Sequence, residues 1–151
     1  MSCAIKDEKD LKAVKKQLLA KHHLKAVLSM PDDLFYPVGV VTCIMVWEAN
    51  KANAGRKTWF GYFKDDGFEK RKHQGRIDAR GKYKSTIKDK WVSAYQNGDE
   101  IAGLSVKYEV KYDDEWCAEA FMETDYSTLS ASDFIETLRN YSAFLVQNEK
   151  F

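Results

Sequence analysis

The sequence predicts an α/β fold with an α+β C-terminal extension, in one domain over residues 1–151. Helix and strand patterns alternate in the first half, and the apolar run at 40–49 carries no charge before Glu48. An apolar run without alternation is typical of a strand that helices cover on both faces of its sheet. A chain of 151 residues has room for one domain with a sizeable core, but not for two.

The first half begins with a helix and continues with strands. Apolar residues at helical spacing predict an amphipathic helix over 7–22. Residues 24–30 form a short apolar run before Pro31, which predicts a buried strand. The loop "PDDLFYPVG" then leads to a second strand at 40–49, and residues 57–63 are the next strand candidate.

The second half is polar at first and helical at its end. Residues 64–84 are charged and interrupted by glycines, which predicts a hairpin or a mobile loop. The remaining predicted elements are a helix at 85–97 opened by Ser85 or Thr86, an alternating half-buried strand at 104–112, a short helix within 113–122, and a longer helix capped by Ser130 or Ser132. In that last helix Phe134, Leu138, Tyr141 and Leu145 share one face.

Charge and cysteine content limit the classes of partner and compartment. Lys and Arg number 24 against 23 Asp and Glu, so a nucleic-acid partner would have to be held by a local basic patch. Cys3, Cys43 and Cys117 form no CxxC pair, which disfavours a disulfide framework and a zinc site and favours a reducing cytoplasm. The longest apolar run, 38–47, is too short to cross a bilayer, and no signal-peptide core opens the chain. We expect a cytoplasmic protein without a membrane partner.

Residues of acid–base or metal chemistry are present, but their spacing favours structural roles. The acid pairs at 32–33, 65–66 and 113–114 are adjacent in sequence, so the two members would point apart in a strand. Asp32 and Asp33 are expected to shape their loop. His22 and His23 are expected to cap helix carbonyls, and with His73 they show no metal-ligand spacing. Cys43 is expected to be a small buried residue.

The stretch "KKQLLAKHHLKAVLSMPDDLFYPVGVVTCIMVWEANK", residues 15–51, resembles the late part of the catalytic domain of adenine-N6 DNA methyltransferases. The resemblance is strongest to the methylation subunit of type I restriction–modification systems, the N-6 DNA methylase family. Further similar segments lie at 57–68, 115–127 and 133–145. The resemblance implies a partial Rossmann-like methyltransferase sheet, with its late strands and flanking helices, over residues 1–63.

The resemblance also implies a role for the aromatic step in the loop. Enzymes of this family swing the target adenine out of the duplex and hold it between aromatic faces. In the family, one of these aromatic residues belongs to the catalytic motif and the other precedes the last long strand of the sheet. Phe35 matches the second position, so it is the base-stacking candidate. The alternative is that Phe35 and Tyr36 cap the strand end against the core, and for Tyr36 we favour that packing role.

The motifs of catalysis and of S-adenosylmethionine binding in this family are missing. The family's catalytic motif needs two adjacent prolines, whereas this chain has only Pro31 and Pro37. None of its eight glycines lie close enough together for the cofactor loop. The opening "MSCAI" is similar to the end of an earlier strand of the family's sheet. We therefore expect a polypeptide that is inactive alone: a truncated reading frame, a split subunit or a cloned fragment.

A basic cluster occupies residues 70–84, against the single acid Asp78. The DNA-backbone candidates in it are Lys70, Arg71, Lys72, Arg76, Arg80, Lys82 and Lys84. Such residues would release condensed cations on phosphate binding. The alternative, which the sequence supports equally, is a solvated hairpin that contacts no phosphate.

The leading expectation is a C-terminal portion of a type I-like adenine-N6 DNA methyltransferase. The alternatives are a stand-alone module that binds DNA or a methyltransferase partner, and a residual protein without current function. Expected partners are DNA, the missing methyltransferase half or a specificity subunit, and a second copy of this chain. The second copy would pair with the open edge of strand 40–49, unless 57–63 or 104–112 folds back onto that edge.

Overall fold

The computed structural model describes residues 9–123 and 129–148, so "MSCAI" with Cys3 and part of the 115–127 segment lie outside the described residues. In chain order the elements are α1 (Lys9–Lys21), β1 (His23–Ser29), β2 (Cys43–Glu48), β3 (Thr58–Tyr62), β4 (Glu69–Arg71), β5 (Gly75–Ile77), α2 (Lys88–Asn97), β6 (Ser105–Tyr108) and α3 (Ala131–Gln147). The helix predicted at 7–22 is thereby confirmed over its described residues, and so are the strands at 24–30 and 57–63 and a hairpin within 64–84.

The main sheet is mixed, with the strand order β2-β1-β3-β6. Strands β1 and β3 are parallel, whereas β2 and β6 run antiparallel to their neighbours. Among the described strands, β2 pairs with β1 alone and leaves its other edge open. The later segments do not fill that edge, because β3 takes the other side of β1 and β6 pairs with β3.

Helices cover both faces of the central strands, as the apolar runs predict. On one face Leu24, Phe60 and Trp116 are fully buried, with leucines of α1 packed against them. On the other face Ala26 and Trp59 are buried against α2. Strand β2 is half-buried along most of its length, so the prediction that the 40–49 strand is buried on both faces was wrong. The cause is its edge position.

Several local expectations need correction. The helical segment begins before Ser85, with a π-helical turn at Tyr83–Ile87, so neither Ser85 nor Thr86 caps it. The strand expected to reach 112 ends at Tyr108, and the helix expected within 113–122 is a single 3-10 turn at Ala118–Ala120. Cys43 is half-buried rather than buried.

The two histidines after α1 hold the turn into β1 instead of capping the helix. His22 Nδ1 accepts a hydrogen bond from Asn50 N at 3.1 Å. Asn53 Oδ1 accepts from His23 Nδ1 at 2.9 Å and from Leu24 N at 3.0 Å. Asn53 is buried, so it satisfies donors that the sheet leaves unpaired.

Helix α3 begins as predicted and leaves its apolar side open. Ser130 and Asp133 form a capping box, with Asp133 Oδ2 accepting from Ser130 N at 2.7 Å. Phe134, Leu138 and Tyr141 share a face, and each is more than half exposed. No helix within residues 9–123 and 129–148 is long and apolar enough to cross a membrane.

Candidate nucleic-acid interface

The loop between β1 and β2, residues 31–41 and hereafter the aromatic loop, is built from successive turns. Backbone hydrogen bonds close two of them, from Tyr36 N to Asp33 O and from Val38 N to Phe35 O, at 3.0 Å each. The loop follows the carboxyl end of β1, which lies beside the parallel strand β3. In α/β sheets, ligands bind outside the carboxyl ends of parallel strands.

Phe35 lies on the aromatic loop with 58% of its surface exposed. A ring in that state is free to stack on a base, so the geometry agrees with the stacking candidate, and the role stays a prediction. Tyr36 is 49% exposed, so its predicted packing against the core was wrong. Its ring instead lies 5.9 Å from the Lys70 ammonium. Exposed cation–π contacts of this kind contribute about 0.5–1 kcal/mol.

Asp32 holds one side of the aromatic loop through a polar network. Lys64 Nζ pairs with Asp32 Oδ1 and, at 3.0 Å, with Glu119 Oε1. Ser29 Oγ donates to Glu119 Oε2 at 2.6 Å and accepts from Ala118 N at 3.0 Å. The network therefore ties the loop to the end of β1 and to the 3-10 turn.

The protonation of this network follows from its contacts. Burial alone would raise the pKa of Glu119, but hydrogen bonds from Ser29 and Lys64 outweigh it and hold that pKa below its ordinary value. Burial alone would lower the pKa of Lys64, but its contacts with Asp32 and Glu119 outweigh it and raise that pKa. Both groups are therefore charged at neutral pH.

The lowered pKa of Glu119 predicts how stability depends on acid. Its contribution is present above the ordinary pKa of 4.5 and is lost as pH falls through the folded-state value. Glu119→Gln should therefore lower the urea midpoint near neutrality, and the difference from the parent should shrink in acid. Urea unfolding between about pH 3 and 7 measures this. Glu136→Gln, on exposed α3, is the control. A Glu119→Gln difference that stays constant down to acid pH would contradict the assignment.

Asp33 holds the other side of the aromatic loop and connects it to the β4–β5 hairpin. Arg76 Nε lies 3.0 Å from Asp33 Oδ1, and Lys70 Nζ lies 3.3 Å from Asp33 Oδ2. Arg76 also donates to both oxygens of Asp66, at 2.8 and 2.9 Å, and its guanidinium lies 5.2 Å from the Phe68 ring. We call residues 70–84, which include β5 and most of β4, the basic hairpin. The aromatic loop and the basic hairpin therefore share one face of the molecule.

The structure divides the seven DNA-backbone candidates into two groups. Four contact carboxylates: Lys70, Arg71, Arg76 and Arg80, through Asp33, Glu69 and Asp66. The Arg76 side chain is only 11% exposed, so little of its guanidinium is accessible to a DNA phosphate. The other three, Lys72, Lys82 and Lys84, are exposed and have no carboxylate partner among the described residues. The free positive charge thus lies at the hairpin turn and at the start of the following helical segment.

Sequence reasoning missed the anchoring residues Lys64, Asp66 and Glu119. The 70–84 window contains one acid, and the carboxylates that pair with its basic residues lie outside it, at 33, 66 and 69. Asp33 and Arg76 lie 43 positions apart, and no local sequence pattern predicts an ion pair between residues so far apart in the chain. A partial signal was the Asp-Asp-Gly turn at 65–67, where Asp66 Oδ1 also accepts from Phe68 N.

An open groove of about 640 Å³ lies beside this face, with Lys64 at its margin. Tyr62, Asp65, Lys90 and Trp91 also line it, so it presents the Lys90 ammonium, the Asp65 carboxylate and aromatic edges. Among the described residues, no group of three or more His, Cys, Asp or Glu could hold a metal ion. The aromatic loop and the basic hairpin thus present an exposed aromatic ring, Phe35, and three exposed lysines, Lys72, Lys82 and Lys84.

Comparison with known proteins gives a family match and a curated relative. A family model described as N-6 DNA Methylase matches residues 3–148. A curated relative from Heyndrickxia coagulans, described as type II restriction enzyme and methyltransferase RM.BcgI, is 36% identical over 136 residues. The match covers 88% of this chain and 21% of that relative. The chain therefore spans about a fifth of the length of the curated relative.

A solved structure shares the fold. The methyltransferase subunit of a type I restriction–modification system from Streptococcus thermophilus superposes with a TM-score of 0.53, at 17% identity. The superposition covers 70% of this chain and 20% of that one. At this level of identity the likeness concerns the fold: a mixed four-stranded sheet with its helices, matching part of a methyltransferase subunit.

Proposed function

The chain belongs to the N-6 DNA methylase family, and on that premise we propose that it supplies a DNA-contacting part of an adenine-N6 DNA methyltransferase of a type I-like restriction–modification system. One observation carries the proposal. The exposed Phe35 and the basic hairpin lie on one face, joined by the ion pairs of Asp33. A stacking surface beside free ammonium groups is the combination that an unpaired base in a phosphate backbone requires.

In this proposal Phe35 stacks on the flipped adenine, while Asp32 and Asp33 hold the aromatic loop in position. Lys64 and Arg76 act through those two carboxylates, so they are positioning residues. Lys72, Lys82 and Lys84 contact the backbone without reading bases, because an ammonium is a point charge without base-edge geometry.

The 151-residue polypeptide is proposed to lack methyl-transfer activity by itself. Family enzymes take the methyl group from S-adenosylmethionine. The sequence does not fit that cofactor's glycine-rich loop, because no two of its eight glycines lie within four positions of each other. No paired prolines are present to supply the catalytic motif. We assign no methyl-transfer step to these residues.

Phe35→Ala tests the stacking role first through stability. Because the ring is 58% exposed, its loss should change the free energy of unfolding by about 0.5 kcal/mol or less. Phe60→Ala is the comparison, since Phe60 is fully buried and its truncation should cost about 3–5 kcal/mol. Urea unfolding measures both. A cost near the Phe60 value would show that Phe35 is a packing residue.

The same variant then tests stacking directly. A duplex with an unpaired 2-aminopurine should show fluorescence quenching with the parent protein, and Phe35→Ala should weaken its binding by about 1–3 kcal/mol. Val38→Ala is the matched control, because Val38 is 59% exposed in the same loop. Equal binding by the parent and Phe35→Ala would remove Phe35 from the proposed site.

The second candidate function is an interaction module, and the open β2 edge and the apolar side of α3 favour it. In the described structure β2 leaves one row of backbone donors and acceptors unpaired, with Ile44 48% exposed beside it. The proposed partners are a second copy of this chain, a polypeptide that carries the rest of a methyltransferase, or a specificity subunit. We favour a two-fold dimer through the β2 edge.

Ile44→Lys should convert that dimer to a monomer, because a charge on an edge strand opposes strand pairing. Light scattering at micromolar concentration measures the mass of the parent and the variant. Leu138→Lys, on the apolar side of α3, is the control and should leave the dimer intact. A monomeric parent would contradict the dimer, and loss of the dimer in Leu138→Lys alone would place it on α3.

A further inference from the structure

A second groove, of about 430 Å³, lies at the other end of the sheet from the aromatic loop. It opens where β1 and β3 begin, whereas the aromatic loop follows the end of β1. Three lysines line it, Lys25, Lys57 and Lys107, and none of its lining residues is a carboxylate. We call it the lysine groove. Its composition stands apart in a chain whose net charge is only +1.

The strand register brings the three lysines to one face. Lys107 on β6 is the direct partner of Trp59 on β3, so the two share a face. Lys57 precedes Trp59 by two positions, which also places it on that face. The lysines therefore come from β1, from the position just before β3 and from β6, rather than from one flexible segment.

Lys25 reaches this face through a bulge in β1. The pairing of β1 with β2 shifts register between Leu24 and Ala26, so Lys25 is the extra residue. Leu24 and Val27 pack on the α1 side of the sheet and Ala26 packs on the α2 side. In a regular strand neighbouring side chains point to opposite faces, so Lys25 would point towards α1 because Ala26 points towards α2. The bulge instead places Lys25 and Ala26 on the same, α2, side of the sheet. Bulges often re-aim a side chain at a functional position.

The three ammonium groups form no ion pair within the described structure, although the Glu100 carboxylate accepts a hydrogen bond from Lys107 N at 3.3 Å. None of Lys25, Lys57 and Lys107 has a carboxylate within ion-pair distance among the described residues. The basic hairpin differs, because most of its cations contact acids. Like charges along one groove repel one another, and a bound anion would remove that cost.

Two aromatic residues, Trp59 and Tyr95, also line the lysine groove. The Trp59 and Tyr95 rings lie 5.5 Å apart, edge to face, and Trp59 Nε1 donates to Asp99 O at 2.8 Å, which fixes the indole. Gly98 ends α2 with φ 66°, and a Cβ there would lie 3.3 Å from Lys107 Nζ. The glycine thus leaves room for that ammonium. Trp59 is only 5% exposed, so it fixes the wall of the groove and does not offer an open ring face. Three ammonium groups around one small groove suit a phosphate, which lysine binds as a point charge.

We propose that the lysine groove binds phosphate groups, from a nucleic-acid strand or a free nucleotide, through Lys25, Lys57 and Lys107. The site is separate from the proposed DNA face, so it stands or fails independently of Phe35.

The test compares a groove variant with a charge-matched control. Lys25, Lys57 and Lys107 are replaced together by Gln, and the control replaces Lys9, Lys16 and Lys111, exposed residues on or beside α1. Calorimetry with inorganic pyrophosphate should show the groove variant weakened about 10-fold or more and the control within about 2-fold. Lys57→Gln alone, at an exposed position before β3, should give part of the loss in a protein that melts like the parent.

The remaining arms identify the source of the phosphate or overturn the proposal. Competition between single-stranded oligothymidylate and pyrophosphate would indicate a strand, and pyrophosphate binding without competition would indicate a free nucleotide. Equal losses in the groove variant and the control would reduce the effect to net charge and overturn the proposal. So would undetectable pyrophosphate binding at millimolar concentration, or binding of polyglutamate in its place.

Discussion

Arg76→Ala is expected to destabilise the protein by about 3–5 kcal/mol, because it leaves the buried Asp66 carboxylate without its counter-charge. The side chains of Arg76 and Asp66 are 11% and 9% exposed, and the guanidinium also contacts Asp33. Removing one partner of a buried ion pair costs far more than the pair contributes over an apolar replacement. The same change removes one of the two ion pairs between the hairpin and Asp33, and leaves that of Lys70.

Arg80→Ala is the control for that measurement. Arg80 pairs with Glu69 at 2.8 Å, but its side chain is 67% exposed, so its loss should cost about 1 kcal/mol or less. Urea unfolding of both variants at neutral pH gives the comparison. Arg76→Lys should be intermediate, because an ammonium cannot reproduce the planar fork between two carboxylates. An Arg76→Ala protein as stable as the parent, but with weaker DNA binding, would restore Arg76 as a phosphate ligand.

Replacing Lys72, Lys82 and Lys84 together by Gln is expected to weaken duplex binding roughly 10- to 100-fold at low salt. If all three contact phosphates, the slope of log affinity against log salt should become shallower by about 2–3. The loss should be the same for unrelated duplex sequences, because backbone contacts carry no base readout. Stability should change little, since the three side chains are exposed and unpaired within the described structure.

A gel-shift titration over a range of salt concentrations measures both the affinity and the slope. The Lys9, Lys16 and Lys111 replacement removes the same charge from the α1 side and should leave the slope near that of the parent. If the hairpin variant keeps the parent slope, the 70–84 cluster is a solvated hairpin. If both triple variants lose affinity equally, net charge and not a site is responsible.

Local patterns in the sequence determined most elements correctly. Helical spacing located α1, the apolar run before Pro31 located β1, and Ser130 marked the start of α3. The order of family motifs along residues 15–51 identified the N-6 DNA methylase family, and the matching family model confirms it. These signals depend on neighbours a few positions apart, so they can be recognised in one dimension.

Only the tertiary structure decided which residues of the two sites meet. The sequence put seven cations against one acid in the 70–84 window, but Asp33 and Asp66 enter from outside it and hold Arg76. Strand order placed β2 at an edge, and a one-residue bulge turned Lys25 towards Lys57 and Lys107. The physical reason is range. Propensity and periodicity act along the chain, whereas charge pairing and strand register depend on distances that exist only after the sheet has formed.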